Sequence, residues 1–382
     1  MEFYHDILEN LLDKLIDYRG KTPKKTLSGV PLVTAKIVKN GTINGYTEYI
    51  AEEDYDKWMV RGFPKVGDVI LTTEAPLGEV ALLKEEKVAL AQRIVCLRGK
   101  DNVLDNTYLK YYLQSGKGQK SLSARESGTT VTGIKQAELR RVDIEYPAYD
   151  DQRRIASILS SLDRKIELNN KINADLEEMA QAIFKNWLSE CSDDVTIGEL
   201  SLNITNYEKT DAEEVVLINS SDVTEGYFDH HNYSPNKNLK GHFKKRFQKG
   251  DILYSQVRPR NRHWAYCNFD ANDYLASTQL MVIRNNPSLI TSILLYQYII
   301  SDNVWKEFTL KTETRSGTFP QGNYEDLSQI RVPYNSDVEG ISNQLETLYA
   351  KMFMLEKENS RLSLLRDTLL PRLMSGELEV PE

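Results

Sequence analysis

The chain has 382 residues, of which 40% are hydrophobic and 27% are charged, and its formal net charge is −8. This length predicts two or three domains, and the composition excludes disordered and collagen-like proteins. The negative net charge argues against a protein that coats nucleic acid indiscriminately, because such binding is driven by counterion release from phosphates. Any contact with DNA must therefore come from local basic patches.

The compartment can be inferred from three further features. No apolar run approaches the roughly 18 residues that a membrane-spanning helix needs. The first ten residues carry Glu2, Asp6 and Glu9 instead of the basic start of a secretory signal. The three cysteines are far apart, as is typical of a reducing compartment. We therefore expect a cytoplasmic protein.

The first half of the chain has an α+β pattern. Short β-branched runs bounded by Gly or Asp predict strands at 69–72, 94–97 and 142–145. A helical stretch at 107–114 lies between the second and third of these strands. Mixed helices and strands in one segment indicate an α+β domain.

A long helix is predicted next, over residues 151–188, where the sequence contains neither Gly nor Pro. At 1.5 Å per residue such a helix is roughly 55 Å long. Its apolar residues alternate three- and four-residue spacings, which is typical of a coiled-coil seam. The seam consists of Ile155, Leu159, Leu162, Ile166, Leu176 and Ile183.

The second half repeats this order of elements. Strands are predicted at 252–255, 280–283 and 329–332, with a helix at 290–306. A second long helix then carries a matching seam and is predicted to end before Pro371. The seam consists of Leu345, Leu348, Met352, Leu355, Leu362 and Leu369.

Four sequence matches in the same order connect the two halves, at offsets between 183 and 189 residues. Gly67-Asp68 matches Gly250-Asp251, and Gln92 matches Gln279. The other two matches pair 33–41 with 218–226 and Ser127-Gly128-Thr129 with Ser316-Gly317-Thr318. Matches in a constant order indicate an internal repeat of the whole fold.

The two long helices also contain equivalent polar residues, Asn173 and Asn359. Long helices that cannot bury their apolar stripes within their own half pack most simply on each other. Buried asparagines in such a pair would fix its register. We therefore predict an α+β fold of two pseudo-symmetric domains, separated by two long helices that form an antiparallel coiled coil. The predicted boundaries are 1–150, 151–190 (helical spacer), 191–337 and 338–382 (distal helix).

The sequence contains no recognisable catalytic motif. It has no G-x-S-x-G elbow, no phosphate-binding loop and no G-x-G-x-x-G run. Four of the five histidines and Cys267 lie close together in sequence, but no ligand pair has zinc-site spacing. We therefore expect no catalytic residue, no bound metal and no cofactor on this chain.

Two helical segments carry a family resemblance. Residues 151–156, 166–173 and 176–184 resemble the central conserved region of type I restriction-modification DNA specificity subunits. Residues 364–377 resemble the distal conserved region of that family, and 19–24 are similar to the start of its target recognition domains. The resemblance covers nearly the whole chain, although the variable parts depart from the family, so DNA contacts cannot be carried over.

The resemblance implies a non-catalytic DNA-binding subunit. Two target recognition domains would read the two halves of a bipartite double-stranded DNA target. The subunit would dock two methyltransferase subunits, which bind S-adenosylmethionine and modify adenine, and the complex can further include ATP-dependent restriction subunits. Two alternatives stay open from the residues alone: a coiled-coil structural or interaction protein with an incidental basic loop, and an enzyme with degenerate motifs.

In the second half, nine basic residues and one acid lie between Lys237 and Trp264. Phosphates attract Lys and Arg, whereas base edges are read by Arg, Asn and Gln. We predict phosphate contacts from Lys244, Lys245, Arg246 and Lys249. We predict a groove-entering loop with Gln256, Arg258, Arg260, Asn261 and Arg262. Ser316 and Thr318, just before the last strand, would let the backbone approach phosphate, or they form a plain turn. A solvated basic face is the alternative.

In the first half, the equivalent loop, 73–78, is not basic, and Glu74 in it is either a cytosine acceptor or a plain surface acid. The predicted DNA-binding residues lie elsewhere, and the asymmetry predicts two dissimilar half-sites. These residues are Arg19, Lys21, Lys24, Lys25, Lys36, Lys39, Arg125, Thr129, Thr130 and Thr132.

Overall fold

The structure is a computed structural model that describes residues 1–18, 20–128, 132–207, 209–237, 239, 241–313 and 320–380. The chain divides into two compact units. Unit 1 consists of Met1–Leu168 with Glu358–Glu382, and unit 2 consists of Asn169–Lys357. No helix in the described part of the chain is long and apolar enough to cross a bilayer.

Unit 1 contains both strands and helices. Its strands are β1 (Phe3–Ile7), β2 (Leu12–Asp17), β3 (Lys25–Thr26), β4 (Val30–Val33), β5 (Val38–Lys39), β6 (Thr42–Ile43), β7 (Tyr49–Ile50), β8 (Val69–Thr73), β9 (Leu77–Leu82), β10 (Ala89–Leu90), β11 (Ile94–Gly99) and β12 (Asp143–Pro147). Its helices are α1 (Leu8–Leu11), α2 (Tyr55–Trp58), α3 (Asn106–Gln114), α4 (Gly116–Ser123), α5 (Gln136–Arg140) and the first part of α6 (Tyr149–Glu190).

The central sheet of unit 1 has the order β2-β11-β8-β9 and is antiparallel. Successive side chains of a strand point to opposite faces, and here both faces are buried. Val69 and Leu71 of β8 pack into a core with the helices, whereas Ile70 packs into a second core against the sheet β10-β4-β7-β3. Burial on both faces explains why β8 begins with three consecutive apolar residues.

Unit 2 has the same kinds of element. Its strands are β13 (Asp193–Thr196), β14 (Ser201–Asn203), β15 (Glu214–Ile218), β16 (Val223–Thr224), β17 (Tyr227–Phe228), β18 (Tyr233–Pro235), β19 (Phe243–Lys245), β20 (Ile252–Ser255), β21 (Trp264–Tyr266), β22 (Tyr274–Ser277), β23 (Leu280–Asn285) and β24 (Arg331–Tyr334). Its helices are the second part of α6, α7 (Ile197–Leu200), α8 (Ser292–Ile300), α9 (Asp302–Glu313), α10 (Tyr324–Ser328) and most of α11 (Glu339–Ser375).

The sheets of unit 2 repeat those of unit 1. Its central sheet, β14-β23-β20-β21, corresponds strand by strand to β2-β11-β8-β9. The parallel pair β15 and β22 corresponds to β4 and β10, and the antiparallel pair β13 and β24 corresponds to β1 and β12. The predicted pseudo-symmetric α+β repeat is therefore confirmed.

The two long helices, α6 and α11, pack on each other in antiparallel orientation. In unit 1, Asp163 contacts Arg366 and Lys165 contacts Glu358. In unit 2, the side-chain amide of Asn173 donates to the carbonyl of Met352 at 3.4 Å. As the residue numbers increase along α6, the numbers of their partners on α11 decrease, which shows that the two helices are antiparallel. The predicted coiled-coil pairing is confirmed.

The prediction that the second long helix ends before Pro371 is wrong. Helix α11 continues through Pro371 to Ser375. Proline removes one helical hydrogen bond, at a cost of about 3 kcal/mol. Leu373 and Met374, both about 1% exposed, pack into the core of unit 1 beyond it. The apolar area that they bury offsets this cost.

The helix predicted over 290–306 is divided into α8 and α9. Thr291 caps the first of these, because its hydroxyl accepts a hydrogen bond from the backbone of Leu294. Ser301 then adopts an extended conformation, and its hydroxyl accepts from the backbone of Val304. A side-chain cap of this kind starts a new helix. The prediction of one helix over 290–306 therefore missed the boundary at Ser301.

The predicted burial of the two helix-pair asparagines holds for Asn173, which is 7% exposed, and not for Asn359, which is half-buried. The chain also buries Asn169 fully, one helical turn before Asn173. The role of Asn173 and Asn359 in fixing register stays a prediction.

Candidate nucleic-acid interface

The basic loop of unit 2, residues 256–262, follows β20 and is fixed by backbone hydrogen bonds. The backbone of Arg258 donates to the carbonyl of Pro320 at 3.0 Å, and that of Gly322 donates to Gln256 at 2.8 Å. Arg258 and Arg262 adopt left-handed backbone conformations, with φ of 49° and 53°. Such conformations cost energy in residues other than glycine. The hydrogen bonds between the loop and the segment at 320–322 therefore help to hold these conformations.

Three side chains of this loop, Arg258, Arg260 and Asn261, are exposed, and Pro259 between them is buried. Gln256 is partly buried at the base of the loop. Buried Pro259 anchors the turn, because its carbonyl accepts a hydrogen bond from the indole of Trp305 at 2.9 Å. The structure thus presents the predicted readout side chains on a rigid turn.

Two arginines of the loop are already paired within unit 2. The guanidinium of Arg260 donates to Glu313 at 2.7 Å, and Glu313 raises the pKa of Arg260 through this hydrogen bond. Arg262 lies 3.2 Å from Asp302 and 4.3 Å from the ring centre of Trp305. These contacts orient both guanidiniums, and DNA would have to compete with two carboxylates for them.

The basic residues of strand β19 and its neighbours lie in different environments. Lys244 is exposed and lies 5.5 Å from the ring centre of Tyr207, and Lys249 is also exposed. Arg246 is half-buried, and its guanidinium donates to the carbonyl of Asn272. Lys244 and Lys249 are thus available at the surface.

The assignment of Lys245 to a phosphate contact is wrong. Lys245 is 5% exposed, and its ammonium donates to the carbonyl of Leu280 at 2.7 Å. Burial lowers the pKa of Lys245. The strand alternation explains the difference, because neighbouring side chains of β19 point to opposite faces and Lys244 takes the exposed one.

In unit 1, the equivalent loop after β8 is also attached to the segment that precedes the last strand. The backbone of Ile134 donates to the carbonyl of Thr73 at 2.9 Å, and Glu74 and Gly133 form a β-bridge. In unit 2 the corresponding bridge joins Val257 to Gln321. Both units therefore place the same two chain segments side by side.

Glu74 forms an ion pair with Arg93, whose Nε lies 2.8 Å from the carboxylate. Arg93 has a left-handed backbone, with φ of 71°, and its side chain is 51% exposed. Sequence reasoning missed this arginine. Its position next to Gln92, one of the repeat-matched residues, was the signal that could have found it.

The other predicted residues of unit 1 lie on several elements. Lys36 and Lys39 are exposed at the β5–β6 hairpin, Lys21 and Lys24 are exposed before β3, and Thr132 is exposed beside the bridge. Two predicted residues are paired with acids: Lys25 lies 2.7 Å from Glu48, and Arg125 contacts Glu138 and Asp143. Arg19, Thr129, Thr130, Ser316 and Thr318 lie outside the described residues.

Within the described part of the chain, no group of three or more His, Cys, Asp or Glu residues is arranged to hold a metal ion. His263 contacts the carbonyl of Val223 at 2.8 Å, and His231 contacts the hydroxyl of Tyr274 at 2.7 Å. These histidines therefore have hydrogen-bonding roles in unit 2.

Comparison with known proteins identifies one family. The model of the type I restriction modification DNA specificity domain matches residues 14–178. The type I restriction enzyme MjaIX specificity subunit of Methanocaldococcus jannaschii is 25% identical over 401 aligned positions, which cover 95% of this chain and 91% of that protein. The HindI specificity subunit of Haemophilus influenzae is 36% identical over 136 residues, which cover 35% of this chain and 30% of that protein.

A solved structure has the same fold. The S subunit of a type I restriction-modification system from M. genitalium superposes with a TM-score of 0.63 at 17% identity. The superposition covers 100% of this chain and 97% of that chain.

Proposed function

Because the chain belongs to the family of type I restriction-modification DNA specificity subunits, we propose that it directs adenine methylation to one bipartite DNA sequence. Each unit reads one half of the target. The loop after the central strand, at 73–78 in unit 1 and 256–262 in unit 2, carries the readout, together with the segment bridged to it.

The repeat of this loop arrangement is the observation that carries the proposal. In both units the loop follows an inner strand of the central sheet and is bridged to the segment before the last strand. The side chains differ: unit 1 presents Glu74 paired with Arg93, and unit 2 presents Arg258, Arg260 and Asn261. Side chains with different donors and acceptors favour different bases, so the two half-sites are expected to be dissimilar.

Two methyltransferase subunits are the proposed partners, docking on the long helices. Exposed large apolar side chains on the long helices are the proposed contacts of these partners, since burial of apolar surface stabilises protein–protein association. In unit 1 they are Leu168, Leu364 and Leu365, and in unit 2 they are Met179 and Met354. The partners would supply S-adenosylmethionine and the chemistry, and ATP-dependent restriction subunits would join the same complex.

Modification-sensitive sequencing of the host genome, with the gene intact and deleted, tests the proposal. Loss of adenine methylation at one bipartite motif upon deletion is the expected result, and it supplies both half-sites. An unchanged methylome, with the methyltransferase confirmed as expressed, would contradict the proposal and favour a structural role.

A further inference from the structure

Each unit has an exposed turn beside its readout loop, which is 73–78 in unit 1 and 256–262 in unit 2. In unit 1 the turn joins β10 to β11 and carries Arg93, and in unit 2 it joins β22 to β23 and carries Gln279. The side chains of both residues are exposed. Each turn therefore presents a polar side chain next to a loop that is proposed to read DNA.

Backbone hydrogen bonds show that Arg93 and Gln279 occupy equivalent places. The backbone amide of Thr73 donates to the carbonyl of Arg93 at 2.8 Å, and that of Gln256 donates to the carbonyl of Gln279 at 2.9 Å. Each donor is the first residue of its readout loop. The residue after each turn begins an inner strand and pairs with the residue just before the loop. The structural equivalence is thus one residue away from the sequence match, which pairs Gln92 with Gln279.

In unit 2 the turn lies between the readout loop and the carboxyl end of β15. Strand β15 runs parallel to β22, so the two strands end at the same edge of their sheet. The hydroxyl of Ser220, just after β15, donates to the side-chain oxygen of Gln279 at 3.5 Å. An amide oxygen has two lone pairs, so this contact orients the side chain while the oxygen can still accept a second hydrogen bond.

In unit 1 the side chain at this place is oriented from the other side. The repeat match pairs Ser220 with Ala35, which has no hydroxyl to donate. The orienting group is instead Glu74 of the readout loop, whose carboxylate lies 2.8 Å from Nε of Arg93. The two units therefore hold equivalent side chains beside their loops by different partners.

Arginine and glutamine read different bases in the major groove of DNA. Guanine presents two acceptors, O6 and N7, which match two donors of a guanidinium. Adenine presents the acceptor N7 and the donor at N6, which match the nitrogen and the oxygen of a glutamine amide. Exchange of one side chain for the other should therefore exchange the preferred base.

We propose that these equivalent residues determine one base in each half of the DNA target. Arg93 selects a guanine in the half-site read by unit 1, and Gln279 selects an adenine in the half-site read by unit 2. This inference rests on the proposed function, because it names bases within the bipartite target. The turns thus act as a second readout element beside the loops, and the difference between Arg93 and Gln279 contributes to the dissimilarity of the half-sites.

Exchange variants test the proposal once the methylome of the original chain has given the target. By modification-sensitive sequencing, Gln279→Arg should change one adenine of one half-site to guanine, with every other position of the motif unchanged. Arg93→Gln should change one guanine of the other half-site to adenine.

Lys65→Gln and Gln248→Arg are the matched controls for these exchanges. Both residues are exposed and occupy equivalent places in the turns before β8 and β20, at the opposite ends of these strands from the readout loops. Both controls should leave the motif unchanged.

A binding measurement decides the question if an exchange variant is inactive. Fluorescence anisotropy compares DNAs with single base-pair substitutions, using the full chain purified together with the methyltransferase. The original chain should prefer adenine at one position of the unit 2 half-site by about tenfold or more, and Gln279→Ala should lose this preference at that position alone. The proposal is overturned by an unchanged preference, by equal weakening at every position, by a lost preference for a base other than adenine, or by the same effect in Gln248→Arg.

Failure of this inference can be distinguished from failure of the proposed function. If no motif depends on the gene, both are wrong. If a motif depends on the gene but the variants of Arg93 and Gln279 keep its sequence and its base preferences, only the assignment of bases to the turns is wrong.

Discussion

Asp68 and Arg98 form a two-pronged ion pair in unit 1, with both nitrogen-to-oxygen distances at 2.7 Å. Asp251 and Arg284 repeat it in unit 2, at 2.6 and 2.8 Å. Each aspartate also accepts a hydrogen bond from the backbone three residues earlier, which closes the turn before the central strand. The repeated Gly-Asp pair of the sequence thus fixes where the strand that carries each candidate loop begins.

Removal of this carboxylate should destabilise the unit that contains it. Breaking a buried ion pair costs about 3–5 kcal/mol when the other charge is left uncompensated. Because Arg98 and Arg284 keep some contact with solvent, we expect Asp68→Asn and Asp251→Asn each to lower the free energy of unfolding by about 2–3 kcal/mol. Urea denaturation measures the change. Asp54→Asn, at an exposed pair 3.8 Å apart, is the matched control and should be nearly neutral.

Much of the fold could be predicted because its signals are local or repeated. Residues 252–255 were predicted as a strand with the bounds of β20, and 151–188 as the helix that the structure extends to Tyr149–Glu190. The strand alternation of β19 and the continuation of α11 through Pro371 were missed. Both depend on what the side chains pack against, which a single sequence does not contain.

The candidate site was less predictable for the same reason. The basic loop could be predicted because its arginines lie close together in sequence. The pair Glu74 and Arg93 was missed because the two residues meet only when β8 and β11 lie side by side. The buried position of Lys245 follows from its place on β19, which the charge count alone does not reveal.

Charge reversal in the basic loop should affect one half-site only. We expect Arg258→Glu with Arg260→Glu to abolish recognition of the half-site read by unit 2, because two hydrogen-bond donors of the groove-entering loop become acceptors. Docking of the methyltransferase should be retained, since the loop lies outside the long helices. Binding to DNAs with one altered half-site, by fluorescence anisotropy, measures the effect. Lys306→Glu, which reverses one exposed charge on α9, is the control and should leave recognition of both half-sites unchanged. If the double variant lost recognition of both half-sites equally, the placement of the loop would be contradicted.

Substitution of Arg93 should reduce sequence discrimination at the half-site that unit 1 reads. Arg93 is oriented by Glu74 beside the loop of unit 1, and a guanidinium at a base edge discriminates by about 1–3 kcal/mol. We therefore expect Arg93→Ala to reduce discrimination in the half-site read by unit 1 by about tenfold or more, with the unit 2 half-site unchanged. Competition binding with single-base substitutions measures this. Glu53→Ala, on an exposed turn of the same unit, should leave both unchanged.

Stability should increase as the pH falls through neutrality. The pKa of Glu356 is about 7 in the folded chain, above the ordinary glutamate value of 4.5, mainly through burial. The folded state therefore binds a proton that the unfolded state lacks between these values, so acidification from about pH 8 to about pH 5 should add roughly 2–3 kcal/mol from this group. Facing charged groups are Glu177, Glu225 and Arg262. Urea denaturation at several pH values gives the free energy of unfolding as a function of pH. This free energy should depend less on pH in Glu356→Gln than in the original chain, and an unchanged pH dependence would exclude this carboxyl as the source.

Substitution by leucine should change the free energy of unfolding differently at Asn173 and at Asn359. The side-chain oxygen of Asn173 is buried with no hydrogen-bond partner among the described residues, and its amide makes only a long contact of 3.4 Å to Met352. A buried unsatisfied polar group costs about 1–3 kcal/mol, so Asn173→Leu should raise the free energy of unfolding by about 1 kcal/mol. Asn359 is half-buried, and Asn359→Leu should change stability by less than about 0.5 kcal/mol, as is usual for such positions. Thermal unfolding of both variants measures the difference, and a lower melting temperature for Asn173→Leu would show that the amide contributes more than its geometry indicates.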